Sequence, residues 1–218
     1  MSDEQLMAMI SDERRRAADL IESLTPEQLA TPSLCGEWTV KQVAAHLIAP
    51  FATKRRWFLG VSIRSRFRLH RAIAMLAERI AERPAGEIAA VLRENADRPY
   101  KAPIVGFFGQ LTDLQIHGQD IRRPLGLPRE LHPDRLRVSL DFLVSRRAGG
   151  AFVPRGRTAG LRFEATDLEW ASGTGKTVRG PAEAVMLALT GRAVVLPELA
   201  GEGLPDLRAR LATVDSAR

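Results

Sequence analysis

Before Arg146, apolar residues return along the chain at a helical period. Between Gln5 and Leu24 they fall at Leu6, Ile10, Ala17, Leu20, Ile21 and Leu24, which marks one face of an amphipathic helix. Thr25-Pro26-Glu27 stops that helix and starts a short capped turn, and Pro32 to Gly36 reads as loop. Glu37-Trp38-Thr39 opens the next helix, which runs to about Trp57 with Trp38, Val43, Ala45, His46, Ala49 and Ala52 on its apolar side. Helical segments over 72–80 and 87–92 are broken by Pro84-Ala85-Gly86. After Pro103, a helix over Phe107 to Ile121 ends at Arg122-Arg123-Pro124-Leu125-Gly126. The arginines there suit the negative end of the helix dipole. His132-Pro133 then introduces a helix from about Asp134 to Val144.

The character changes after Arg146. Gly149-Gly150, Pro154 and Gly156 make a loose linker. Leu161 to Thr166 alternates and predicts a strand, as does Leu168 to Ala171 after a turn at Asp167. Gly180-Pro181 starts a helix through Leu189, closed by Gly191, and Leu204 to Leu211 is a short final helix. The expected organisation is multi-domain: an all-α unit over 1–145, a linker over 146–158 and a small α+β unit over 159–218.

Composition narrows the classes. Hydrophobic residues make up 45% of the chain, enough for a sizeable core and unlike a disordered segment. There is no apolar run of about eighteen residues, so no membrane span is expected. No charged-then-apolar leader stands at the start, and a cytoplasmic location is the expectation. The single cysteine, Cys35, excludes an intrachain disulfide framework and any cysteine-rich zinc module, so a metal would need histidines and carboxylates.

The net charge is +6, yet only Lys41, Lys54, Lys101 and Lys176 among the 32 basic residues are lysines. Arginine with scarce lysine is the imprint of a GC-rich coding sequence, which weakens the charge as a sign of nucleic-acid affinity. The main basic cluster is Lys54-Arg55-Arg56-Trp57-Phe58 with Arg64-Ser65-Arg66-Phe67-Arg68-Leu69-His70-Arg71. No nucleic-acid-binding motif accompanies it, and a solvated helix face is expected. The arginines also suit an anionic substrate or the carboxylates of a thiol cosubstrate.

The candidate chemistry lies in Asp113-Leu114-Gln115-Ile116-His117-Gly118-Gln119-Asp120. Asp113 and His117 are four apart and share one face of a helix. His46 lies on the apolar side of a different helix. If the two helices pack side by side, two imidazoles and a carboxylate converge, a set that holds a divalent metal and leaves positions open. A satisfied core histidine is the plainer reading of each taken alone. Asp120, one turn past His117, suits either an acceptor that orients a ligand imidazole or a partner for a terminal arginine. Cys35 either approaches a metal or thiol near the positive end of the His46 helix, or simply packs in the loop. Ala171-Ser172-Gly173-Thr174-Gly175-Lys176-Thr177 ends like a phosphate loop but has Trp170 where the first glycine belongs, and a hairpin turn is expected instead.

Leu34-Cys35-Gly36-Glu37-Trp38-Thr39-Val40-Lys41-Gln42-Val43-Ala44-Ala45-His46-Leu47 resembles the helix entry of the mycothiol-dependent maleylpyruvate isomerase family, one of the DinB-like metal-binding four-helix bundles. Ile116 through Gly126 is similar to that family's second metal segment. Trp170-Ala171-Ser172-Gly173, Val178 to Ala182 and Thr190-Gly191-Arg192 resemble its sterol-carrier-protein-like C-terminal unit. The stretch from about Ser62 to Pro99 matches poorly.

The resemblance implies an up-down four-helix bundle before the α+β unit, with His46, Asp113 and His117 as metal ligands. Where the family has a glutamate, this chain has Asp113, a carboxylate that reaches about one methylene less far. The implied cofactors are a divalent metal, with zinc, nickel or manganese as candidates, and a thiol of the mycothiol type. The implied reaction is thiol addition to a small electrophile, giving cis–trans isomerisation or a stable conjugate. The implied partners are therefore a small-molecule substrate and a low-molecular-weight thiol, with no nucleic acid or membrane, and a homodimer stays open. Two other classes stay open as well: a non-catalytic, metal-stabilised binding or regulatory module, and a metal-dependent hydrolase using bound water.

Overall fold

The computed structural model describes residues 1–53, 57, 64, 65, 69–129 and 131–215. Most of the basic cluster between Lys54 and Arg68 lies outside the described residues, and the second long helix, expected to run to about Trp57, ends at Ala52. The described elements are a helix-rich N-terminal region followed by a three-stranded sheet with helices. They divide into two compact units: Met1–Tyr100 with His117–Arg129, and Lys101–Ile116 with Glu130–Arg218.

The first unit contains α1 (Asp3–Ser23), α2 (Pro26–Ala30), α3 (Val40–Ala52), α4 (Leu69–Ala81) and α5 (Ala85–Glu94). Three of these starts carry the same device. Ser2, Thr39 and Thr25 each accept the backbone N–H three residues on, and the glutamine at that position, Gln5, Gln42 or Gln28, accepts the cap's own N–H. A capping box of this kind satisfies two orphan donors at once and contributes about 1 kcal/mol. Helix α1 packs on α5, and α3 packs on α4 and α5.

A buried arginine ties α1 to the end of α5. Arg14 is 3% exposed and its Nη1 donates to the carbonyls of Asn95, Ala96 and Arg98 at 2.8–2.9 Å. Its guanidinium also lies 4.8 Å from the centroid of the Phe51 ring. Burial lowers its pKa to about 10, partly opposed by the charge of Asp97.

Helix α6 (Gly106–Arg122) runs through the boundary between the units without a break. The sequence pattern places its start one residue later. Most of its length is buried, including the polar Thr112, Gln115, His117, Gln119 and Asp120. Buried polar groups need partners, and the amide nitrogens of the two glutamines have them. Gln115 Nε2 donates to Ser139 Oγ at 2.7 Å, and Gln119 Nε2 donates to the Arg129 carbonyl at 2.9 Å.

The second unit continues with α7 (Pro133–Leu143), β1 (Leu161–Ala165), β2 (Ala171–Gly173), β3 (Lys176–Gly180), α8 (Ala182–Leu189), a 3-10 turn (Ala193–Glu198) and α9 (Leu204–Asp215). Its core gathers Leu140, Phe163, Val178, Met186 and Leu207 around α8, a helix whose every residue is buried. The Trp170 indole donates to Asp141 at 2.8 Å, and Asp167 caps α8 through the Ala182 N–H at 2.8 Å.

The second strand begins at Ala171 rather than Leu168, and no hairpin joins β2 to β3. Both flank β1, antiparallel on one side and parallel on the other, in the order β2-β1-β3. Thr174-Gly175 therefore carries the chain across the start of β1. That crossing needs glycine. A Cβ at Gly173 would stand 2.4 Å from the Leu161 carbonyl oxygen and one at Gly175 2.2 Å from that of Gly160, and both residues have positive φ. The glycines that mimic a phosphate loop serve a tight backbone crossing.

Candidate functional site

A short loop and two helices carry the residues that bear chemistry. Thr39 caps α3, so the chain before it must turn sharply, and it does so over Ser33 to Trp38. The Ser33 N–H donates to the Trp38 carbonyl at 2.8 Å, and the Trp38 N–H donates to the Cys35 carbonyl at 3.2 Å, with Gly36 at positive φ between them. The Leu34 N–H donates to the Asp120 carbonyl at 3.3 Å, which pins this loop to the last turns of α6. Leu24, Leu29, Val40, Val43 and Ile121 form the apolar cluster beneath, and Cys35 and Trp38 pack against it.

This arrangement brings His46 of α3 and His117 of α6 together. Their ring centroids are 4.9 Å apart and the ring planes are nearly perpendicular at 76°. Trp38 lies beside both, 5.4 Å from His46 and 6.5 Å from His117, nearly parallel to the latter at 29°. The sequence pattern puts Trp38 on the apolar face of a helix. In the structure it stands just before the cap, as an aromatic wall against the two imidazoles. A tryptophan next to a Thr-x-x-Gln cap was the available signal for that placement, since capping fixes where the preceding residue goes.

Asp113 stands one turn before His117 on α6, and the two offer ligand atoms within 4.8 Å of each other. His46 likewise offers a nitrogen within 4.8 Å of one on His117. His117 is thus the common member of both pairs. Its exposure is 7%, whereas His46 and Asp113 are half-buried.

Asp120 is fully buried, and its Oδ2 lies 2.8 Å from His117 Nδ1. An ionised carboxylate only accepts, so opposite one, Nδ1 is the donor in this pair. The Asp120 carboxylate thus stands within hydrogen-bonding distance of the His117 ring. Cys35 is close too, with its sulfur within 4.8 Å of ligand atoms on both His117 and Asp120. The loop position alone does not reveal that proximity, because it depends on the Leu34–Asp120 backbone bond between distant segments. His132 sits at the start of α7 and belongs to neither group.

No helix among the described residues is long and apolar enough to cross a membrane. The family model described as the mycothiol maleylpyruvate isomerase N-terminal domain matches residues 10–122, more than half of the chain. The matched span contains Cys35, Trp38, His46, Asp113, His117 and Asp120. No curated protein and no solved structure matches the chain.

Proposed function

Since the chain belongs to the mycothiol maleylpyruvate isomerase N-terminal domain family, we propose that it is a metal-dependent enzyme using a low-molecular-weight thiol of the mycothiol type. Its substrate is a small electrophile resembling maleylpyruvate, which it isomerises from cis to trans or converts to a thiol conjugate. The helices of the first unit are read as the DinB-like up-down four-helix bundle, working in the cytoplasm, where such thiols are kept reduced.

The observation that carries this reading is the approach of His46 and His117 to 4.9 Å from helices far apart in sequence, with Asp113 one turn from His117. Two imidazoles and one carboxylate suit a divalent ion such as zinc, nickel or manganese, and leave positions for an incoming ligand. When bound, such an ion favours the thiolate form of a coordinated thiol at neutral pH, which makes it a nucleophile. The chain's residues then have defined tasks. His46, Asp113 and His117 hold the ion. Asp120 fixes the His117 tautomer so that Nε2 is the ligating atom. Trp38 shields the imidazoles on one side and offers an apolar face to the carbon chain of a substrate.

The test uses the metal-loaded full chain, a cis-enoic diacid and mycothiol, with each omitted in turn. Turnover to the trans acid or to a thioether, strictly dependent on the thiol, is expected. Ester hydrolysis without thiol would replace this reading with the hydrolase. Metal binding without any thiol-dependent turnover would favour the non-catalytic module.

A further inference from the structure

We propose that Cys35, His117 and Asp120 form a second divalent-metal site, which includes a thiolate and competes with the His46–Asp113–His117 set for His117. It rests on the proposed function only for the role of that first set. The second set stands on its own donors.

Its three ligand atoms, a sulfur, an imidazole nitrogen and a carboxylate oxygen, all lie within 4.8 Å of one another. Three donors of these types are a familiar part of a tetrahedral zinc-like site, with one position left over. The backbone holds Cys35 there. Its N–H donates to Ser33 Oγ at 3.1 Å and its carbonyl accepts from Trp38, while the adjoining Leu34 N–H bonds the carbonyl of Asp120 itself. The residue that supplies the buried carboxylate also anchors the loop that supplies the sulfur.

Competition follows from the chemistry of the ring. A neutral imidazole has one lone pair for a cation. With Nδ1–H facing Asp120, that lone pair is on Nε2. For an ion to enter between Cys35 and Asp120, the ring hydrogen moves to Nε2, Nδ1 becomes the ligand, and the Cys35 thiol releases its proton to solvent. His117 therefore serves one ion at a time. Charge and softness set the preference. A thiolate and a carboxylate together neutralise a divalent ion, which suits the fully buried surroundings of Asp120. The first set leaves a positive charge uncancelled and contains no sulfur. Soft, thiolate-seeking zinc is drawn to the second set, and harder ions such as manganese to the first. An ion held at the thiolate set leaves the first set without His117, and so without its function.

Cobalt(II) alone, added to chelator-treated full-length protein, reports this directly, because a thiolate ligand gives an intense near-ultraviolet charge-transfer band. The chain has one cysteine, so Cys35 is the only source of the band. In a His46→Ala/Asp113→Ala variant the band is expected at saturation. It should be independent of protein concentration and lost when Cys35→Ser is added. Absence of the band, or a band that grows with protein concentration because two chains share the ion, would overturn the proposal. If the double variant loses its helical circular dichroism, the two single variants take its place, and the same results support or overturn the proposal. Failure of the first site reads differently: wild type then shows no visible cobalt spectrum that His46→Ala diminishes, whatever the near-ultraviolet region does.

Discussion

His117 Nδ1 lies 2.8 Å from Oδ2 of Asp120, a carboxylate wholly shielded from solvent. The pair fixes which nitrogen of the ring faces the other candidate ligands. Its consequence is measurable without any assay of turnover.

Asp120→Asn keeps the shape but removes the charge that holds the hydrogen on Nδ1. Loss of such an orienting partner weakens a metal site by about 10- to 100-fold. Isothermal titration with manganese should show that loss with helical content unchanged. Unaltered affinity would mean that Asp120 serves packing alone.

Arg14 bridges α1 to three carbonyls just after α5. Arg14→Ala leaves those carbonyls in a place water reaches poorly, at a cost of about 2–4 kcal/mol. Arg14→Lys should recover only part, since its side chain is one bond shorter and stops short of the Nη1 position that reaches all three carbonyls. Urea denaturation measures both.

Asp97 gives the stability a pH dependence of known sign. Its carboxyl is held below the usual carboxylate range, first by the hydrogen bond from Arg15 and next by that from Ser11. A folded-state value below the unfolded one means that the unfolded chain binds more protons as the solution is acidified. The contribution is therefore present above the unfolded pKa and lost as pH falls through the folded one. Both Arg15 and Asp97 are exposed, so the effect is small. The gap in urea midpoint between wild type and Asp97→Asn should be widest near neutrality and close in acid. A gap that is constant with pH would contradict the assignment.

Local signals carried much of this structure. Helix periodicity located α1, which buries one apolar face, and start and stop signals located α6 and α8, both buried along most of their length, to within a few residues. Asp113 and His117 were legible as a pair from their four-residue spacing, and His46 from its apolar side. What the sequence hid depends on long-range geometry. The crossing of β2 to β3 over β1 depends on Gly173 and Gly175 escaping the carbonyls of Leu161 and Gly160. The approach of Cys35 to His117 depends on a backbone bond between Leu34 and Asp120. Neither leaves a periodic trace. Trp38 falls between these cases. Its residue type and cap were visible, but its place beside both imidazoles emerges only when α3 and α6 meet.

The central claim is that His46, Asp113 and His117 hold a divalent metal. Elemental mass spectrometry of the purified full chain, beside His46→Ala, Asp113→Ala, His117→Ala and the control His132→Ala, tests it most directly. About one equivalent of zinc, nickel or manganese is predicted in wild type and His132→Ala, as a single three-ligand site requires. His117→Ala should be depleted most, since it belongs to both ligand groups. Wild-type protein that stays metal-free after incubation with all three salts, or equal loss from His132→Ala, would contradict the account.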